Sequence, residues 1–161
     1  MDKLKSLLQE VVTQGDLRRK EAKLLERAVK NACDQIGKAS LEAGVWGKYM
    51  SVNLGSVEND GYNDKDYIAY LSPTESNKEQ HVVVRLAEAW EREDHCGYTE
   101  LEIDPCDEYW TNHEGMRCPP RWLTVKLAHR LEELAQKLYD RVKQLSDETS
   151  RARQTAESFK L

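Results

Sequence analysis

The strongest constraint in this chain is the length of its last helical pattern. From Arg121 to about Phe159 the apolar residues follow helical spacing, and Pro119 and Pro120 suit a helix start. Leu131, Leu138, Leu145, Ala152 and Phe159 repeat every seven residues, with Leu127 and Leu134 as partner positions. Arg141, Glu148 and Thr155 then take over the partner row, so the seam fades after about two heptads. A helix of this extent is about 58 Å long at 1.5 Å per residue. A compact chain of this size has a diameter of only about 40 Å. The helix therefore cannot be fully enclosed. Its first half is expected to pack on the body and the rest to project or to pair with another copy, which predicts a homodimer through the C-terminal helix.

The remainder reads as α+β. Leu4, Leu7, Leu8, Val11 and Val12 mark a helix from Asp2 to about Thr13, which Gly15 and Asp16 punctuate. A second helix is predicted from about Leu17 to Glu42, and Gly44 ends it. Ala28, Ala32 and Ala39 are the small residues that would let another element approach. The period then changes to two. Strands are predicted at 48–54, 66–72, 80–90 and 99–105, with turns at 58–61, at Ser72-Pro73 and at 95–97. Short connections favour an antiparallel meander of four strands with helices on its apolar face. The expected fold is thus one α+β domain over 1–161. It comprises a helical hairpin (1–44), a four-stranded antiparallel sheet (45–105), a loop (106–120) and a long helix (121–160).

Composition limits the function. Of 161 residues, 33% are charged and the net charge is −5, which argues against nonspecific nucleic-acid binding. No apolar run approaches the roughly 20 residues of a membrane span. The start, MDKLKSLLQEVV, lacks the core of a signal peptide, so a cytoplasmic location and free thiols at Cys33, Cys96, Cys106 and Cys118 are expected. No nucleotide-binding glycine loop, G-x-S-x-G or H-E-x-x-H occurs, so no catalytic residue and no cofactor is assigned.

The segment from Cys96 to Trp122 concentrates the unusual residues. Cys96, Cys106, Cys118, His95 and His113 could supply zinc ligands, but their separations are wider than the close pairs that structural zinc sites use. Half-buried thiols without a metal fit better. Glu100, Glu102 and Asp104 alternate, which would set carboxylates about 7 Å apart along one strand face. Asp107 and Glu108 extend the charge toward Tyr109 and Trp110. Such a ridge is either a solvated strand face or a docking patch for a basic, nucleic-acid-binding site on a protein partner, with the aromatics as anchors. The expectation is a non-enzymatic inhibitor or adaptor of the kind viruses and mobile elements encode.

Two competing readings use other residues. Lys126, Arg130, Lys137 and Arg141 cluster within about 60° on the last helix and could track phosphates. Arg18, Arg19, Lys20 and Lys23 form a second basic cluster. The acidic ridge could instead hold a divalent ion for hydrolysis. Tyr49, Tyr67, Tyr70, Trp46 and Trp90 read as sheet packing.

Overall fold

Residues 2–43 form one uninterrupted helix, α1 (Asp2–Ala43), rather than the expected hairpin. Gly15 costs a helix about 1 kcal/mol relative to Ala but does not by itself end one. Its neighbours favour continuation: Leu17, Arg18, Arg19, Lys20 and Glu21 are helix-compatible, and Arg19 pairs with Asp16 one turn back. The real stop is Gly44, with φ of 66°. The Gly44 amide donates to the Leu41 carbonyl (3.1 Å), and the Val45 amide to the Ser40 carbonyl (3.1 Å). This pair of bonds is a Schellman cap, which satisfies carbonyls left open at a helix end. The buried Ser40 hydroxyl donates to the Val45 carbonyl, fixing the exit of the chain into the sheet.

The structure, a computed structural model, describes residues 2–57, 65–76, 78–92, 95–101, 110–111, 117–118 and 120–159. Side chains are described for 2–47, 50–55, 67–75, 78–87 and 123–159. After α1 come β1 (Gly47–Val57), β2 (Lys65–Ser76), β3 (Glu79–Arg92), β4 (His95–Leu101), two short paired segments β5 (Trp110–Thr111) and β6 (Arg117–Cys118), and α2 (Pro120–Ser158).

The strands run in the order β1-β2-β3, antiparallel throughout. These three long strands supply every sheet residue of the described core. The expectation of four strands under two N-terminal helices is therefore corrected. One helix precedes the sheet, and the sheet that the helices cover is three-stranded. Backbone pairing does continue from β3 to β4, from Leu86↔Leu101 to Arg92↔His95. That segment ends at Leu101, so it is not the strand expected at 99–105, and 102–105 lie outside the described residues.

Two turn expectations fail as well. Pro73 lies inside β2, opposite Val82, and the chain reverses only between Ser76 and Glu79, where Lys78 takes φ of 68°. Pro73 is tolerated because β1 pairing stops at Leu71, so among the described residues this end of β2 has no strand on that side. His95, Cys96 and Gly97 belong to β4 rather than to a turn. The turn expected at 58–61 lies outside the described residues.

Period-two burial explains the core. Met50, Val52 and Leu54 of β1, Tyr67, Ala69 and Leu71 of β2, and Val82, Val84 and Leu86 of β3 are buried on one face. α1 packs on β3 and on α2, and α2 packs on β1. They contribute Val29 from α1, and Leu123, Leu127, Leu134 and Leu138 from α2. The other face of the sheet is buried too at its centre, where Tyr70 and Ala87 are 2% and 0% exposed. The sheet is thus covered on both sides there, unlike the half-solvated sheet the alternation predicts.

α1 comes close against the backbone of β3 at Gly37. A Cβ added there would lie 2.0 Å from the Val82 carbonyl oxygen. Ala28 and Ala39, expected to permit close approach, are exposed instead. Gly37→Ala should therefore lower global stability by about 1–3 kcal/mol despite its better helix propensity, because α1 must lift off β3. Gly15→Ala has open space around it. It should raise helical signal in circular dichroism and leave the urea midpoint of global unfolding unchanged. Equal urea midpoints for Gly37→Ala and the parent chain would contradict the packing.

Candidate interaction surface

The first half of α1 has no cover. Leu4, Leu7, Leu8, Val11 and Val12 are 57%, 51%, 56%, 65% and 57% exposed. At 100° per residue, Leu4, Leu7, Leu8 and Val11 fall within an arc of about 100°. Farther along the helix, Leu25, Val29, Cys33, Ile36 and Ser40 occupy the same arc, and there the face is buried or half-buried. The same helical face is thus bare near the start of α1 and buried near its end, with Gly15 and Arg18 interrupting it between. Leu17 and Leu24, also exposed, lie around the back of the helix. The bare arm from Asp2 to Leu24 is about 33 Å long. Among the described residues, nothing packs against its aliphatic groups.

The basic residues of α2 have work inside the molecule. Arg130 Nε donates to the Asn53 carbonyl (3.0 Å), and Lys137 Nζ donates to the Ser51 carbonyl (2.7 Å). β1 is the outermost strand, and carbonyls two residues apart point the same way. These two cations therefore close off an open sheet edge that would otherwise invite pairing with another chain. Glu133 bridges them, contacting Arg130 and lying 3.7 Å from Lys137 Nζ. Arg141 donates to Gln144 Oε1 (2.9 Å), and Lys126 is also engaged. Arg130 and Lys137 are thus both tied to the edge of β1.

The α2 seam is likewise occupied. Leu134 and Leu138 are buried, and Leu131, Val142 and Leu145 pack against the same core. Residues 151–159 are all exposed, including Phe159, 79% exposed.

The acidic ridge falls almost wholly outside the described residues. Glu100 lies on β4 opposite Ala87, and Trp110 on β5 opposite Cys118. Glu102, Asp104, Asp107, Glu108 and Tyr109 lie outside, as do Cys106 and His113. Among the described residues no group of three His, Cys, Asp or Glu side chains could hold a metal ion. No helix among them is long and apolar enough to cross a membrane.

Cys33 is the one cysteine whose side chain is described, and it is a free thiol in the α1 seam. Burial, aided by the neighbouring Asp34 carboxylate, pushes its pKa from 9.0 up to about 12. A thiol held neutral is neither a nucleophile nor a ready ligand.

No protein-family model matches the chain, and no curated protein or solved structure matches it. The surface therefore has to be read from its own chemistry. Sequence reasoning found the apolar positions 4–12 but assigned them to packing. The signal that they stay bare is the polar block Gln14–Glu21, broken only by Leu17, which separates them from the core stripe.

The Cys33 environment has a measurable consequence. At pH 8, alkylation of Cys33 by iodoacetamide should be about 100-fold or more slower in the folded chain than in urea, followed by peptide-resolved mass spectrometry. The unfolded thiol loses its proton from about pH 9 and the folded one only near 12. The unfolded state therefore binds fewer protons in that window, and this group's contribution to stability falls as pH rises through it. Equal alkylation rates in the two states would contradict the burial.

Proposed function

We propose that this chain is a non-enzymatic interaction protein whose working surface is the bare apolar face at the start of α1. The observation that carries this reading is the exposure of Leu4, Leu7, Leu8, Val11 and Val12 together on one stretch of a rigidly anchored helix. Contiguous exposed apolar groups are rare on soluble proteins unless something binds them. Helix nucleation, the costly step, is already supplied by the buried half of α1. The arm is thus preorganised, which lowers the entropy lost on binding. An amphipathic helix of this kind offers anchors at i, i+3, i+4 and i+7, the spacing by which helices are recognised in grooves or by other helices.

The basic stripe of α2 supports a nucleic-acid reading less well. Arg130 and Lys137 already hold β1 carbonyls, so part of their hydrogen-bonding capacity is committed within the molecule. The carboxylates on which a hydrolase reading rests, Glu102, Asp104 and Asp107, lie outside the described residues. The interaction surface on α1 does not depend on the acidic strand.

The arm is separable from the fold, which makes the reading testable. Leu4→Glu, Leu8→Glu and Val11→Glu should each leave the thermal midpoint within about 1–2 °C of the parent, since none of these side chains touches the core. Each should reduce binding to whatever the parent captures by at least about tenfold, because a buried carboxylate in an apolar contact carries a heavy desolvation cost. Binding unaffected by all three would refute the arm as the working surface.

A further inference from the structure

We infer that the occupant of the bare α1 face is a second copy of the same helix, packed antiparallel and centred between Leu7 and Leu8. This rests on the reading of the arm as the interaction surface and names its partner.

Charge selects among occupants. Asp2 and Glu10 offset Lys3 and Lys5, so the apolar stretch 2–12 carries no net charge. An anionic lipid surface or an acidic partner is drawn by a positive helix, and a basic partner by a negative one. A neutral stripe suits its own copy, because two such helices meet without like-charge repulsion. The basic cluster Arg18, Arg19, Lys20 and Lys23 lies beyond that stretch.

Arg18 sets the direction. It stands on the same face as Val11 and Leu25, seven residues from each, so a parallel pair would press Arg18 against Arg18 of the second copy. In the antiparallel arrangement Leu4 meets Val11 of the second copy and Leu7 meets its Leu8, each contact made twice by the two-fold axis. Arg18 then lies outside the overlap. The overlap also leaves the two bodies at opposite ends, clear of each other, since the bare arm is about 33 Å long.

Area is sufficient for a weak, transient pair. An aliphatic side chain of this size hides on the order of 100 Å² when fully buried. Leu4, Leu7, Leu8 and Val11 are each just over half exposed, so two copies would remove about 460 Å² of apolar surface from water. At the usual apolar share of a transient interface, the total is about 800 Å², the size of a weak, transient contact.

The test is sedimentation equilibrium of the full chain, from about 1 to 500 µM, with the parent, Leu8→Glu and Val11→Glu. The parent should dimerise with a dissociation constant of about 10–100 µM. Each variant should weaken dimerisation at least about tenfold while keeping the parent's thermal midpoint. A nitroxide label at Lys20 should give a label-to-label distance near 40 Å in the dimer, whereas a parallel pair would give roughly 15 Å. A parent monomeric at about 500 µM, a dimer indifferent to both variants, or the short distance would each overturn the proposal. A monomeric parent whose capture of another protein is still lost in Leu8→Glu would retain the arm as a binding face and reject the second copy. A monomeric parent that binds vesicles containing anionic lipid, with loss in Leu8→Glu, would assign the face to a membrane surface and overturn the pairing.

Discussion

Everything in this fold follows from a mismatch between long helices and a limited body to cover them. α1 has 42 residues and α2 has 39, so each is about 60 Å long. The core reaches only from Leu25 to Val45 on one side and from Leu123 to Leu145 on the other. The close seat of α1 on β3 at Gly37 and the Schellman cap at Gly44 fix the buried half of α1 at both a contact and an exit. The excess helix has nowhere to go but into solvent. The two excess lengths differ in character. The end of α2 is polar apart from Ala152, Ala156 and Phe159, as a solvated helix should be, whereas the start of α1 is aliphatic along one face.

α2 serves a second structural purpose that its charge pattern conceals. An outermost strand with open carbonyls is a template for unwanted pairing. Arg130 and Lys137 reach over β1 and occupy the carbonyls of Asn53 and Ser51. Both cations are half-exposed, so their ion pairs with Glu133 add little stability. Their value lies in blocking the edge. The bare helical face of α1 is a separate surface that these bonds leave untouched.

The α+β class and most of the core were legible from periodicity. Alternation placed Met50, Val52 and Leu54 together, and likewise Val82, Val84 and Leu86, because the two-residue period directly encodes a strand face. Where local signals misled, a nonlocal fact had overridden them. Gly15 looks like a helix stop, but a glycine only weakens a helix whose flanks favour it. Ser72-Pro73 looks like a turn, yet Pro73 is harmless in a strand that, among the described residues, has lost its outer neighbour. Gly37 sat unremarked among better-known small residues, since only the fold reveals that a carbonyl lies against it. The basic stripe on α2 was visible as a pattern, but its use on β1 depends on residues some 80 positions away in sequence. The apolar face at the start of α1 was visible too. That it stays bare is signalled only by the polar block Gln14–Glu21 behind it, because hydropathy marks a side chain as suited to burial without saying what would bury it.

The account stands or falls on α1 being a single rod whose first half leaves the body. The distance between nitroxide labels at Lys5 and Lys38, read by pulsed electron spin resonance on the dilute chain, measures this directly. A continuous α1 sets the two positions about 50 Å apart along the helix. A markedly shorter distance would mean that the first half of α1 folds back onto the body, and would contradict it.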